Sequence, residues 1–525
     1  IGVTSQLVTI SSGEFTLESD IYGSIGRILT NGQGGRFQGK VILWNSGFNL
    51  TGKAGGQYWG AGSVDHQNQR YFLPGTINSV PGDPRSTIFA INSSDAPFGS
   101  SWQQYKFAVE TGAPFHDGNG DGIYNPIDLN NNGLWDNNED APVLLGDSHS
   151  YLVMNDALPA HQRRYPDTSP IGIEVRQQII SRQQTSPGLD EIFFVRYTLT
   201  NKSAHNVFDS VYFSINTDPD LGNYQDDLSG SDTLLRGGYV YNSGPDNQFD
   251  GTAPAFIQTF ITTPYSYIPG VTYTDNNANG LYDEGIDTPL DSVVLNHGPL
   301  TGQKWVRGAA PARFSSFNQF NVFPLSMIPN NLPEMRNLQM GGKNMNGSPL
   351  NPCTWPHGNG STLPDCGSIN PHYVYSGNPL NGSGWLNTLG TDQSYLISAG
   401  PFRMEKDKPV DFIVGYSAAI STTPLLSVLK AKQAAGNAAN IYHSNFTQFT
   451  SVEDNSSSSP TGFSVEQNYP NPFNPVTTIR YHLAEKGMVR ITLFDPLGRQ
   501  IKILLNEFKE AGSHQLLFDA SALLS

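Results

Sequence analysis

The sequence predicts an all-β protein: a large antiparallel β-sandwich body with loop insertions, one C-terminal helix, and a small β-domain after it. Three observations predict this class. Only 14% of the 525 residues are charged, so the polar surface falls to Asn, Gly, Ser, Thr and Gln; globular chains commonly run nearer a quarter. Aromatic residues reach 11%, and 54 Gly with 36 Pro put a turn former at about one residue in six, as expected for many short strands joined by tight turns. Helical periods are too few to supply the crossovers of a parallel sheet, which leaves antiparallel pairing.

In chain order, residues 1–20 read as an N-terminal arm. Within it Gly13-Glu-Phe15-Thr-Leu17-Glu alternates in the manner of a strand that a neighbouring copy accepts at a sheet edge. The body spans 21–450, with strand signals at Gly39–Trp44, Ile173–Ile180, Glu191–Thr200, Val207–Ile215, Gly238–Tyr241, Phe256–Thr262 and Pro409–Ser417. In Ile192–Thr200, Phe193, Val195, Tyr197 and Leu199 share one face, which reads as core, while Phe194, Arg196 and Thr198 share the other. Thr423 caps and Pro424 opens a helix over about 424–442, with Leu425, Leu426, Val428, Leu429, Ile441 and Tyr442 as its apolar positions. The Ser-rich stretch 451–462 has little to bury and reads as a linker. A small module follows at 463–525, and no repeat of fixed period recurs.

With 30 Lys and Arg against 46 Asp and Glu the net charge is −16, and the isoelectric point lies near 5.0. Such a chain repels phosphate backbones and anionic lipid, which predicts no nucleic-acid partner. No run approaches the roughly 18 apolar residues of a membrane helix. With Ile1 and Gly2 at the start, this predicts a mature, processed, soluble protein without a transmembrane segment. Cys353 and Cys366 stand 13 apart in a Pro/Gly/Asn-rich loop, a spacing that closes a small disulfide in an oxidising compartment.

The most specific local pattern begins at Asp117. Asp117, Asn119, Asp121, Asn125 and Asp128 fill loop positions 1, 3, 5, 9 and 12, with Gly122 at 6 and the Ile123 carbonyl at 7. A hard cation that takes six to eight oxygens around a sharp turn needs this spacing. Asp128, Asn130, Asn132, Asp136 and Glu139 repeat it, with Gly133 at 6 and the Leu134 carbonyl at 7; Asp128 is then shared, or serves one site only. A third copy, Asp275, Asn277, Asn279, Gly280, Leu281 and Asp283, moves its closing carboxylate to Asp287 at position 13. No helix pattern flanks these segments, 117–140 and 275–287, and they resemble the calcium loops of dockerins and thrombospondin type 3 repeats, which brace extracellular structure. Calcium is the expected ligand, and the neutral Asn donors predict affinity suited to millimolar extracellular calcium.

A fourth acidic run places Asp218, Asp220, Asp226, Asp227 and Asp232 within fifteen residues. Such carboxylates repel one another unless solvated, protonated or bridged by a cation, so Asp218, Asp220, Asp226 and Asp227 form a further candidate metal set. An acid pair across a sugar cleft is the competing use. Gly146-Asp147-Ser148, with His149 and His161 beyond it, completes no catalytic motif and reads as a surface turn. Trp59, Trp102, Trp305 and Trp355 read as core, or as platforms for sugar rings.

The tail contains Phe463-Ser-Val-Glu-Gln-Asn468-Tyr-Pro470-Asn-Pro472-Phe-Asn-Pro475, then Val489-Arg-Ile-Thr-Leu-Phe494-Asp-Pro-Leu-Gly498-Arg499, then Ala511-Gly-Ser-His514 and Phe518-Asp-Ala-Ser521. Over 463–525 it closely resembles the C-terminal sorting module of type IX secretion cargo. That resemblance implies an Ig-like β-sandwich related to flagellar hook-capping proteins, and export by the type IX secretion machinery of a Bacteroidota- or Ignavibacteria-like cell. Such modules continue after Ala-Ser with closing strands, whereas Ser525 is last here; either the end is missing or the module leaves an open edge. The body, with Ile171-Gly-Ile-Glu-Val175, Asp218-Pro-Asp-Leu-Gly222 and Gly238-Tyr-Val-Tyr241, resembles large secreted proteins of the same bacteria, which names no activity. The expectation is a secreted, calcium-stabilised extracellular structural protein, not an enzyme. Its expected partners are copies of itself in a filament, sheath or surface layer. The alternative is a secreted glycan-binding protein, glycan-degrading enzyme or adhesin.

Overall fold

The computed structural model describes residues 7–26, 33–63, 71–80, 82–165, 168–181, 191–242, 244–296, 303–320, 329–443, 446, 464–465, 476–483, 486–494, 500–509 and 512–520. The chain divides into two compact units, Ile1–Thr450 and Ser451–Ser525.

The large unit is built on two antiparallel sheets. The first runs Leu7–Ser12, Phe15–Asp20, Gly35–Phe37, Lys40–Ala54, Val207–Pro219, Ser394–Glu405, Phe314–Phe320, with Gln57–Gly62 also paired to Lys40–Ala54. The second runs Asp227–Asp232, Gly237–Asn242, Ala255–Thr262, Val410–Ala419, Ile192–Asn201, Ile173–Ser181, Ser148–Asn155, Leu73–Pro74, with Phe89–Asn92 also paired to Ser148–Asn155. Each strand segment named from the sequence lies in one of these two ladders.

Ile192–Asn201 shows why the sheets close on each other. Phe193, Val195, Tyr197 and Leu199 are fully buried in the core shared by both sheets. Phe15 of the first sheet meets Phe193 of the second edge-on at 4.9 Å, Phe48 meets Tyr197 at 5.3 Å, and Phe213 stacks on Phe412 at 4.1 Å. Each such pair adds about 0.5–1.5 kcal/mol to the burial of its rings. On the strand's other face Phe194 is buried as well, in a cluster with Ile192, Ile413, Ala438, Ile441 and Tyr442.

That second cover is a helix, and the described residues contain three where the sequence predicted one: α1 (Ser100–Glu110), α2 (Leu332–Met340) and α3 (Pro424–His443). The extent of α3 is as expected, and Thr423 Oγ1 accepts the Leu426 N–H at 3.2 Å as its cap. Its buried face is the expected one at Val428, Ile441 and Tyr442 but not at the three leucines. Leu425, Leu426 and Leu429 are 38–42% exposed, while Val428, Ala431, Ala435, Ala438, Ile441 and Tyr442 are buried; the alanines let the backbone lie close to the sheet. In α1, Trp102, Tyr105 and Ala108 pack with Ile91, Tyr151 and Val153. The inward face of α2 mixes apolar Leu332, Met335 and Leu338 with polar Arg336 and Gln339. Gln339 Nε2 donates to Asn49 O and Ser214 Oγ, and the Arg336 guanidinium lies 4.9 Å from the Tyr58 ring and 5.1 Å from the Tyr212 ring. The apolar period is short and shared with polar residues where α2 forms.

The described part of residues 1–20 is a hairpin of the first sheet, not an arm. Leu7 pairs with Asp20 and Ser12 with Phe15 around Gly13 at φ +55°, and Phe15 and Leu17 are fully buried. The alternation expected to serve a neighbouring copy serves the chain's own core. Gly146-Asp147-Ser148 also differs from a surface turn. Ser148 opens a buried strand and its Oγ donates to Asn92 Oδ1 at 2.6 Å. His149 Nε2 accepts the N–H groups of Leu145 and Gly146 at 2.8 and 3.0 Å. Cys353 and Cys366 are joined, their Cα atoms 5.2 Å apart.

The small unit holds the antiparallel sheet Ser464–Val465, Val476–Leu483, Gly512–Asp519 and the hairpin Gly487–Phe494 with Gln500–Lys509. Tyr481, Leu483 and Val489 are buried together, with Ile491 and Leu505 against them. The predicted linker 451–462 and the Pro-rich 471–475 lie outside the described residues. No described helix is long and apolar enough to cross a membrane.

Two measurements check this architecture. Phe412→Ala lowers unfolding free energy in urea by about 3–5 kcal/mol, whereas Leu429→Ala on the outer side of α3 changes it by about 0.5 kcal/mol at most. Burial pushes the His149 imidazole down to about 4, against about 6.5 in an unfolded chain. A depressed histidine leaves the unfolded state binding more protons, so its contribution is whole above pH 6.5 and disappears as pH falls towards 4. Wild type therefore loses up to about 3 kcal/mol more than His149→Gln over that interval, measured by urea titrations at each pH.

Candidate metal centre

The three acidic loops share one backbone. Position 6 is left-handed in each: Gly122 at φ +75°, Gly133 at +74° and Gly280 at +73°. Position 4 is left-handed too, as Gly120, Asn131 and Ala278, at φ +74°, +57° and +56°. Only glycine adopts this region freely, so Ala278 is held there by its surroundings.

What holds the turn is the carboxylate at position 1. Asp117 Oδ2 accepts the Gly122 N–H at 2.8 Å, Asp128 Oδ2 that of Gly133 at 2.7 Å, and Asp275 Oδ2 that of Gly280 at 2.7 Å. Position 5 then accepts the position 7 N–H in all three: Asp121 from Ile123, Asn132 from Leu134, and Asn279 from Leu281. The Asn130 and Asn132 amides donate to Asp136 Oδ2, and those of Asn277 and Asn279 to Asp283 Oδ2. The latter pair holds Asp283 below the usual carboxylate range.

The closing residue corrects one expected ligand. In the second loop Glu139 accepts the N–H groups of Leu129 and Asp136, at positions 2 and 9, at 2.7 and 2.9 Å. In the third, Asp287 accepts those of Asn276 and Asp283, both at 2.8 Å. In the first, the same two bonds come from Gly118 and Asn125 to Asp140, at 3.0 and 2.8 Å, and not to Asp128. Asp128 therefore opens the second loop, and the first closes only beyond it, so one loop is nested within the other. A twelve-residue window cannot find a closing residue 23 positions after the first Asp. The closing groups Glu139, Asp140 and Asp287 are 2%, 2% and 6% exposed, so each loop is tied at its base to the folded body.

An aromatic residue at position 8 is a second regularity of the three loops. Tyr124 is buried and its hydroxyl donates to Trp102 O in α1 at 3.1 Å. Trp135 Nε1 donates to Glu139 O at 3.0 Å. Tyr282 stacks on Tyr267 with ring centres 5.0 Å apart. The pattern was legible, because all three positions are aromatic in the sequence.

Each loop carries three carboxylates in its sequence: Asp117, Asp121 and Asp140; Asp128, Asp136 and Glu139; Asp275, Asp283 and Asp287. With Asn amides at positions 3, 5 or 9 and the main-chain oxygen at 7, the donor set is all oxygen and large enough for calcium. An Asn directs either its nitrogen or its oxygen to the same point. Among the described residues, no three Asp, Glu, His or Cys side chains stand together as a metal-holding group; several ligand positions in these loops are amides and carbonyls.

The fourth acidic run is spread over the first and second sheets. Asp218 Oδ1 accepts from Ser394 Oγ at 2.9 Å, and burial with the nearby charge of Asp392 pushes its carboxyl up to about 7. Burial, with Asp218 and Asp392 beside it, pushes Asp220 up to about 8. Asp226 accepts from Asn242 Nδ2 at 2.9 Å, and Asp227 is fully buried. Asp232 leaves the group, paired at 2.9 Å with Lys432 of α3.

The chain matches no family model and no curated protein.

The nesting has a direct check in amide hydrogen exchange. Asp140→Ala speeds exchange at Gly118 and Asn125 by about ten- to a hundredfold, the loss of a charge-assisted bond. Asp128→Ala speeds Asn132 and Gly133 and leaves Gly118 unchanged; acceleration at Gly118 would return Asp128 to the first loop.

Proposed function

We propose that this chain is a secreted, extracellular structural protein whose loops are braced by calcium, and that it assembles with copies of itself at or beyond the cell surface. One observation carries the calcium reading: three loops, two of them nested and the third far along the chain, repeat the same left-handed positions and the same carboxylate-to-amide bonds, each with oxygen-bearing side chains at the surface. Bound calcium would neutralise the gathered carboxylates and hold loops that are otherwise kept by exposed hydrogen bonds. The low charge content and the single disulfide fit an extracellular setting.

Self-assembly is supported by the small unit. Met488, Ile501, Ile503, Phe508 and Leu517 are 41–65% exposed there, an apolar surface that association would cover. The resemblance of 463–525 to a type IX sorting module supports export by that machinery. The glycan-binding alternative loses two of its four platforms, since Trp59 and Trp102 are 4% and 9% exposed.

Asp121→Ala lowers the melting temperature in calcium by more than in chelator; loss of one site filled at a hundred times its dissociation constant removes about 2.7 kcal/mol. Equal losses in both buffers would count against calcium in that loop. Full-length protein forms regular polymers by negative-stain microscopy that loosen on chelation, and a chain ending at residue 450 remains folded but is not delivered to the surface.

A further inference from the structure

Asp227 and Asn242 stand directly opposite each other in the ladder of Asp227–Asp232 with Gly237–Asn242, so their side chains share a face with Cβ atoms about 5 Å apart. They are 0% and 1% exposed. Each ends in an oxygen without a hydrogen-bond partner, Asp227 Oδ1 and Asn242 Oδ1. The orientation of the Asn242 amide follows from its nitrogen, which faces Asp226 Oδ1 at 2.9 Å and Asp246 Oδ2 and Leu221 O at 3.3 Å. Its oxygen is therefore the atom left over. Asp227 Oδ2 accepts the Leu221 N–H at 3.2 Å, which leaves Oδ1 free.

Buried oxygens of this kind are rare, because each forfeits its bonds to water without replacement. Their surroundings add negative charge and supply no counter-ion: the neighbours acting on Asp227 are Asp220, Asp226 and Asp246. Of these, Asp246 is already engaged by the N–H groups of Asn223, Gln248 and Phe249. A single proton or a water satisfies two acceptors but leaves most of this charge uncompensated. A hard divalent cation answers both deficits, since it takes carboxylate and amide oxygens together.

We propose that Asp227 Oδ1 and Asn242 Oδ1, with the Asp220 carboxylate, hold a calcium ion in the interior of the large unit, at a fourth site distinct from the three surface loops. It uses two carboxylates and a neutral amide instead of a ring of acids. Enclosed between a ladder and the turn 219–226, the ion exchanges more slowly than those in the loops. Asp218 and Asp232 are outside the site.

Calcium content of the full chain, measured by mass spectrometry of metals after equilibrium dialysis against millimolar calcium with the dialysate's own calcium subtracted, tests this beside the loop reading. Wild type holds four ions, and the triple variant Asp117→Asn, Asp128→Asn, Asp275→Asn retains one. Adding Asp227→Asn or Asp220→Asn to the triple variant removes that ion and weakens calcium binding at least tenfold. If wild type holds three ions and the triple variant none, the interior site is overturned and the loops stand. If both hold one ion, the interior site stands and the loop reading fails. An Asp227→Asn chain with unchanged calcium content and a raised melting temperature overturns the proposal. That is the result a protonated Asp227 gives, because the new amide donates to Asn242 Oδ1 without charge.

Discussion

The large unit depends on the rings that close one sheet onto the other. Phe213 of the first sheet lies flat on Phe412 of the second at 4.1 Å, and Phe48, Tyr197, Phe260 and Phe402 surround that pair at 5.3–6.2 Å. Because strand side chains alternate, fixing these rings inward fixes every intervening residue outward. Several outward residues of the second sheet, among them Tyr151, Val153, Phe194, Ile257 and Ile413, are themselves apolar, and α1 and α3 cover them. The first sheet meets α2 through Met335 and Leu338 in the common core and through Gln339 and Arg336, whose polar atoms bond to strand backbone and hydroxyls.

A chain with so few charges uses its aspartates chiefly to terminate backbone. Asp20 accepts the N–H groups of Tyr22 and Ser24, Asp156 those of Ile171, Gly172 and Ile173, and Asp246 those of Asn223, Gln248 and Phe249. Glu139, Asp140 and Asp287 do the same at the bases of the acidic loops. A long loop leaves many amides without strand partners, and a buried carboxylate bridging two of them replaces the missing ladder bonds. The same device that shapes the loops therefore gathers their oxygen donors. Asp and Asn side chains at positions 1, 5 and 9 share one turn because buried acids hold its two ends.

The aromatic at position 8 joins the first and third loops to the rest of the large unit. Tyr124 reaches α1, which packs on the second sheet, and Tyr282 rests on Tyr267, close after the end of strand Ala255–Thr262. Loop order is thereby coupled to the packing beneath it through one side chain. Changes in loop order have a short path to the sandwich.

Composition and alternation by themselves determined the all-β class, the seven main strand segments, the core face of Ile192–Asn201, the extent of α3 and the loop positions 1 to 9. All of these are local, arising from periods of two, from turn residues, or from spacing within a dozen positions. Three features were decided only by the tertiary structure. Asp140 rather than Asp128 closes the first loop because a carboxylate bridges whichever amides the fold brings to it, across any sequence distance. Residues 7–20 became part of the body's own sheet because Phe15 finds Phe193 far along the chain. Asp227 and Asn242 face each other through strand register, which no window of sequence contains; their two unpaired oxygens exist only once burial has removed the water that would otherwise satisfy them.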